Sequence, residues 1–398
     1  MAIRSNQPRT IIYWDGREDT TSPIRRAARA VIDAKENPKK SPPQIMFFIL
    51  QNPKMYNAVK RDAAFDFPVA IPSQVLLANK LQNPKGVDQY CGNVCRKINL
   101  KLGGVNSTLT ANDLPKFGNS TMILGADVTH STGMGTPRAG SEDEVKPSIA
   151  AVVATTDGTG NRYSAQIREQ TGRQEIIADM KEMTVAHLRQ WIASSKGQKP
   201  AQIIVMRDGV SEGQLVPVVQ SEVLDIKAAC RQIDPNYNPK LTYIVCAKRH
   251  NIRFFPKNAA DQDRTGNLPP GTVVDTDVVH PYLFEFYLQA HAGLKGTAKP
   301  TRYICILDEI GFSSDQVEKL LNSLSYNFGR ATRSVSLVPV ANYVDIVAGK
   351  ARSYVEDDDA STVASGAKGG RPAWRHRDWI QKQLEKGGGD GFKGSWWV

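Results

Sequence analysis

From Thr121 onward the chain returns to one pattern, a short apolar run that ends on an acidic residue. Met122–Ala126 is followed by Asp127, Gln202–Met206 by Arg207-Asp208, and Arg302–Leu307 by Asp308-Glu309. Short apolar runs bounded by turn residues read as buried strands. Two more, Ser148–Thr156 (closed by Asp157-Gly158) and Arg162–Ile167, stand between the first pair. An amphipathic stretch from Gln174 to Ala193 follows them, with Ile177, Met180, Val185, Leu188 and Trp191 at helical spacing. Short turns predict an antiparallel meander, and the helix predicts a crossover to a strand parallel to the first. Such a sheet sets the ends of its first and fourth strands side by side, which would make Asp127 and Asp208 neighbours.

That β-β-β-α-β order is the ribonuclease H arrangement. Two carboxylates at adjacent strand ends, standing clear of the core, repel each other and are best explained by a shared cation. At such a site two Mg²⁺ or Mn²⁺ ions about 4 Å apart can activate the attacking water of phosphodiester hydrolysis and stabilise the leaving oxygen. Taken alone, an aspartate after a strand is more often a turn former or helix cap. Asp275, Asp277, Asp308 and Glu309 compete on the same pattern, and Glu212 starts a helix, where an acid is favourable without catalysis.

The chain's 398 residues allow two domains. The predicted division is 1–115 and 116–398, with Thr110–Ser120 as a linker. In the first part Ile45–Leu50 reads as a buried strand, a helix starts near Met55, and Val87–Leu102 is a helix stopped by Gly103-Gly104. Alternating strands and helices predict an α/β unit with a parallel sheet. Tyr56 with Lys60, and Lys97 with Lys101, are spaced i,i+4, so each pair shares one helix face. A phenol and several ammonium groups could make a pocket for a terminal phosphate; from spacing alone, solvated lysines are the commoner outcome.

An excess of 51 Lys+Arg over 40 Asp+Glu favours a polyanionic partner, nucleic acid or an anionic membrane face. The longest apolar run, Ile45–Leu50, is too short to span a bilayer. Five cysteines, an odd count, argue for a reducing compartment, the cytoplasm or the nucleus as well. Cys91 and Cys95, without a second Cys or His pair nearby, read as buried thiols rather than a metal site. No Walker-type glycine loop occurs, and Gly387-Gly388-Gly389 lacks the setting of one. Val355–Arg371, with Glu356-Asp357-Asp358-Asp359, reads as a mobile, solvated loop.

Four blocks then carry a resemblance: Ile123-Leu124-Gly125-Ala126-Asp127-Val128-Thr129-His130, Lys97 to Asn106, Arg207-Asp208-Gly209-Val210-Ser211-Glu212-Gly213-Gln214, and Thr332-Arg333-Ser334-Val335-Ser336. Together they resemble the eukaryotic Argonaute family from about Ile45 to Arg352, with a glycine-rich tail that suggests a filamentous-fungal member. The resemblance implies a Rossmann-like MID domain, shortened at its start, followed by an RNase H-like PIWI domain, without the family's N-terminal and PAZ portions. It implies a catalytic set of Asp127, Glu175, Asp208 and Asp345, with Asp127, Asp208 and Asp345 as metal ligands for two Mg²⁺ or Mn²⁺ ions. Asp345 departs from the histidine often found there, and His130 receives no ligand role. Tyr56, Lys60, Gln74, Lys97 and Lys101 match the residues that grip a guide's 5′-phosphate. Lys350, with Arg352 two residues on, aligns where the family has an arginine. Lys248, Arg249, Arg330 and Arg333 are candidates for guide-backbone contacts, and Trp396-Trp397-Val398 for packing near the phosphate pocket.

The implied function is small-RNA-guided silencing: a guide RNA held by its 5′-phosphate and a complementary target RNA cut opposite it, with silencing-complex proteins as further partners and no membrane. A binding-only silencing protein that recruits partners is the alternative. A DNA-guided nuclease or an ordinary ribonuclease H is a third.

Overall fold

The computed structural model describes residues 11–13, 26, 44–65, 72–118, 120–130, 147–355 and 397. The acidic run after Val355, Gly387–Gly389, Trp396 and Val398 lie outside the described residues. The chain divides into two compact units, one of Ser107–Ala348 and one of Met1–Asn106 with Gly349–Val398. Among the described residues no helix is long and apolar enough to cross a membrane.

The first unit holds parallel strands β1 (Met46–Leu50) and β2 (Ser73–Leu77), with helices α1 (Tyr56–Phe65) and α2 (Val87–Lys101). Strand β1 corrects the expectation of full burial, because Phe47 and Ile49 alternate outward and are 46% and 61% exposed. Helix α2 ends as the glycine pair predicts. Gly103 takes φ +81°, its N–H donates to Leu100 O, and Gly104 N–H donates to Asn99 O. This double bond caps the last turn and needs a left-handed residue at Gly103. Burial on α2 falls on Val94, Ile98, Leu100 and Lys101, so Cys91 and Cys95 are exposed, not the buried thiols expected.

The second unit is an eight-stranded mixed sheet. Its strands are β3 (Thr121–Thr129), β4 (Ser148–Thr155), β5 (Tyr163–Gln170), β6 (Gln202–Asp208), β7 (Lys240–Ala247), β8 (Thr272–Val274), β9 (Phe284–Gln289) and β10 (Thr301–Asp308), in the order β5-β4-β3-β6-β7-β10-β9-β8. The meander β3-β4-β5 is antiparallel, and β6 lies parallel to β3, as the strand order predicts. Three boundaries differ from the sequence reading. Strand β3 runs past Asp127 to Thr129, because its antiparallel partner β4 pairs up to Thr129↔Ile149 while the parallel partner β6 stops at Ala126↔Arg207. Asp127 is therefore buried within a strand instead of standing clear at its end. The sequence also predicts a strand over Thr272–Val279; it ends at Val274, shortly before Asp277 turns left-handed (φ +62°), and β9 was not anticipated. The helix expected from Gln174 starts only at Met180 (α3, Met180–Ser194). The Gln170 side chain donates to Gln174 O and Ile176 O and accepts from Ala178 N, which holds that stretch as a loop.

Both faces of the sheet are covered, which is why its central strands are nearly continuously apolar. On one face Met122, Leu124, Ala126, Ile203, Val205 and Tyr243 pack with α3 and α4 (Leu224–Ile233). On the other, helix α6 (Pro339–Val355), which follows α5 (Ser314–Ser325), comes so close that a Cβ at Gly125 would lie 2.8 Å from Val340 Cγ2 and 2.9 Å from Val340 O.

Candidate active site

Side chains alternate across a sheet, so Asp127 and Asp208 both leave the face opposite Ala126 and Val205. One step beyond the pair Ala126↔Arg207, the β3–β6 register sets Asp127 against Asp208. Glu175 arrives from the loop between β5 and α3. A Cβ placed at Gly209 (φ +87°) would stand 3.0 Å from Asp127 Oδ1 and 3.2 Å from Glu175 Oε1, so both carboxylates close on that glycine. Asp345 comes from α6. The Lys248 ammonium lies 3.1 Å from Asp345 Oδ2 and 3.8 Å from Asp208 Oδ2, which ties that pair together. The four acids thus form one cluster.

Its electrostatics are those of crowded like charges. Burial, followed by the charge of Asp208, pushes the Asp127 carboxyl up to about 8; Asp345 and Glu175 add to the rise, and Arg207 opposes it. Asp208 is also raised, first by burial and then by Asp345, against the pull of Lys248. Glu175 Oε2 lies 2.9 Å from His130 Nε2, and His130 Nδ1 lies 2.7 Å from Ser148 Oγ. Glu175 Oε1 is 3.1 Å from Arg207 Nη2 but accepts no hydrogen bond, and it is buried. Among the described residues no group of three His, Cys, Asp or Glu side chains already forms a metal cage. The donor set still fits a hard divalent cation: all-oxygen, strongly repelling, with a buried carboxylate oxygen that no donor satisfies.

Competing acids have other duties. Asp308 accepts from Thr242 Oγ1 and from the N–H groups of Gly311 and Phe312, which makes it a turn former, and Glu309 pairs with Lys227. Glu212 opens a short 3₁₀ turn capped by Ser211 and Gln214.

In the first unit, Lys60 Nζ donates to Ser73 O (2.9 Å) and Ser73 Oγ (2.8 Å). Lys101 Nζ donates to the same Ser73 O (3.0 Å) and to Gln74 Oε1 (2.7 Å). Tyr56 is exposed, with the Lys60 ammonium 5.8 Å from its ring centre. Burial and then Lys97 push Lys60 down to about 8; burial, Lys60 and Lys101 hold Lys350 well below the ordinary lysine range. Five of the seven expected residues therefore act on one another here, with Tyr56 beside Lys60. Arg352 is partly buried on the same helix as Lys350. Trp397 is buried. Of the residues expected along a guide backbone, Arg249 and Arg333 are exposed and Arg330 is partly buried. Lys248, leaving the end of β7 beside β6, carries its ammonium to Asp208 and Asp345.

Residues 44–356 match the family model of the Piwi domain. The chain belongs to the Piwi-domain family. It is 39% identical over 331 residues to the protein argonaute of Schizosaccharomyces pombe, a match spanning 81% of this chain and 38% of that protein. The structure is similar to the C-terminal lobe of a budding yeast Argonaute (TM-score 0.73, 27% identity, 86% of this chain and 69% of that one). It is also similar to Kluyveromyces polysporus Argonaute with a guide RNA (TM-score 0.74, 27% identity, 93% and 43%). The resemblance to eukaryotic Argonautes stands, and the fold is RNase H-like.

In this Piwi-domain chain the sequence reading missed Ser73, Arg207 and Glu222 and set His130 aside. Two carried a signal. Arg207 is a charge inside an apolar strand, and Glu222 lies on the apolar side of a helix, so each demands a buried partner.

Proposed function

We propose that this chain anchors the 5′-phosphate of a small guide RNA and cleaves the RNA paired to it, as part of a small-RNA-guided silencing protein. The observation that carries the reading is the convergence of Asp127 and Glu175 on Gly209, whose N–H donates to Asp208 Oδ1 (2.9 Å), with Asp345 joined to Asp208 through Lys248. Asp127, Asp208 and Asp345, completed by Glu175, are the residues that would hold Mg²⁺ or Mn²⁺. Bound there, such ions supply Lewis-acid activation of water and charge stabilisation at the leaving oxygen. The chain's own groups prepare the site. Arg207 and His130 orient Glu175, and the burial and like charge that raise the Asp127 carboxyl are what a bound cation would relieve. The ammonium cluster around Ser73 suits a phosphate, and a guide RNA accompanies the Kluyveromyces polysporus relative. A net charge of +11 suits a nucleic-acid duplex read through its backbone.

One observation favours the binding-only alternative: Lys248 already partners Asp208 and Asp345. Single-turnover assay of a labelled target RNA, with a 5′-phosphorylated guide and Mg²⁺ or Mn²⁺, separates the two. Cleavage by the parent chain, lost in Asp127→Ala with guide affinity unchanged, is the expected result. Guide and target binding without any cut in either metal would leave only the alternative.

A further inference from the structure

Arg207 and Asp208 are successive residues of β6, so they leave opposite faces of the sheet. Asp208 joins the acidic cluster, while Arg207 enters the apolar core beneath it and is fully buried. A buried guanidinium needs a partner, and it has one in Glu222, also fully buried. Glu222 sits on a π-helical turn, Val219–Val223, between the short helix Leu215–Val218 and α4. Single wide turns of this kind recur at functional sites.

The Glu222 carboxylate binds three separate elements. Oε2 accepts from Arg207 Nε (3.1 Å) and from Tyr243 Oη on β7 (2.6 Å). Oε1 accepts from Arg207 Nη2 (3.3 Å) and from the N–H of Ile177 (3.0 Å), two residues beyond Glu175. The other donors of Arg207 go to the backbone of the acidic cluster: Nη1 to Asp208 O (2.5 Å) and Nη2 to Glu175 O (2.6 Å). One carboxylate behind the sheet therefore braces β6, β7 and the loop that delivers Glu175.

We propose that Glu222 is a positioning residue of the cleavage centre: as counter-ion of Arg207 and acceptor for Ile177, it holds Glu175 in place and keeps its carboxylate available to a divalent cation. Without the charge of Glu222, the nearest carboxylate to a buried Arg207 cation is Glu175, whose Oε1 is already 3.1 Å from Nη2. Arg207 would then take Glu175 as its own counter-ion. A purely structural brace would alter stability alone; this role alters cation affinity as well. The inference rests on the nuclease reading.

Glu222→Gln in the 398-residue chain keeps the shape and one acceptor oxygen and removes the charge. Mn²⁺ binding is measured by calorimetry, and target cleavage is followed against Mn²⁺ concentration. The variant is expected to need about ten-fold more Mn²⁺ in both measurements, with unchanged affinity for a 5′-phosphorylated guide. Glu222→Asp, which keeps the charge but draws the carboxylate back from Arg207 and Ile177, is expected to shift the midpoint the same way by a smaller factor. It decides the matter if Glu222→Gln does not fold. Parent-like Mn²⁺ midpoints in the folded variants, even with lowered melting temperatures, overturn the proposal. A parent chain that neither binds Mn²⁺ nor cuts defeats the nuclease reading first, and this inference with it.

Discussion

At the scale of single residues, Gly209 and Lys60 make the sharpest demands. Gly209 combines a left-handed backbone with two carboxylate oxygens where a side chain would begin. Gly209→Ala is expected to cost about 1–2 kcal/mol in strain and to displace Asp127 and Glu175. A modest loss in chemical denaturation with near-complete loss of cleavage is the expected pairing; unimpaired cutting would mean that the carboxylates do not work from this arrangement. Lys60 titrates near pH 8 in the fold against 10.5 as the ordinary lysine value. Between those values the unfolded chain holds more protons, so on this group's account the ligand-free protein gains stability as pH climbs from about 8. Phosphate binding needs the ammonium form and runs the other way. Affinity for a 5′-phosphorylated guide should therefore fall between pH 7 and about 9, while that for a 5′-hydroxyl guide stays level. Parallel pH profiles for the two guides would remove Lys60 from the phosphate contact.

At the scale of elements, much of the site was legible because strand patterning determines which carboxylates become neighbours. Apolar runs ending in Asp127 and Asp208, with a helix between, were enough to pair β3 with β6. What escaped was set by side chains acting on backbone. Gln170 keeps residues 174–178 out of the helix, and so Glu175 reaches the site from a loop. No local periodicity encodes that. The contacts of Lys248 escaped for a related reason: the sequence displays its charge but not the acids that β6 and α6 bring to it. The glycine in Leu124-Gly125-Ala126 has an element-scale purpose, since it lets α6 approach β3 and bring Asp345 to the cluster. Gly125→Ala is expected to lower stability by about 1–3 kcal/mol through overpacking against the Val340 backbone. An unchanged melting temperature would show that α6 can retreat at no cost.

At the scale of the whole molecule, two chemistries are built in two units: ammonium groups gathered around Ser73 in one, carboxylates around Gly209 in the other. Each cluster is costly alone, as the depressed lysines and the raised aspartates record, and each is relieved by an ion of opposite charge. The carboxylate half is open to direct observation. Crystals of the chain with a 5′-phosphorylated guide, soaked in Mn²⁺, would show its anomalous scattering. The account predicts a Mn²⁺ peak bounded by Asp127 and Asp208, with the Lys248 ammonium moved off Asp208. A map without a peak there, and with Lys248 still bridging Asp208 and Asp345, would contradict it.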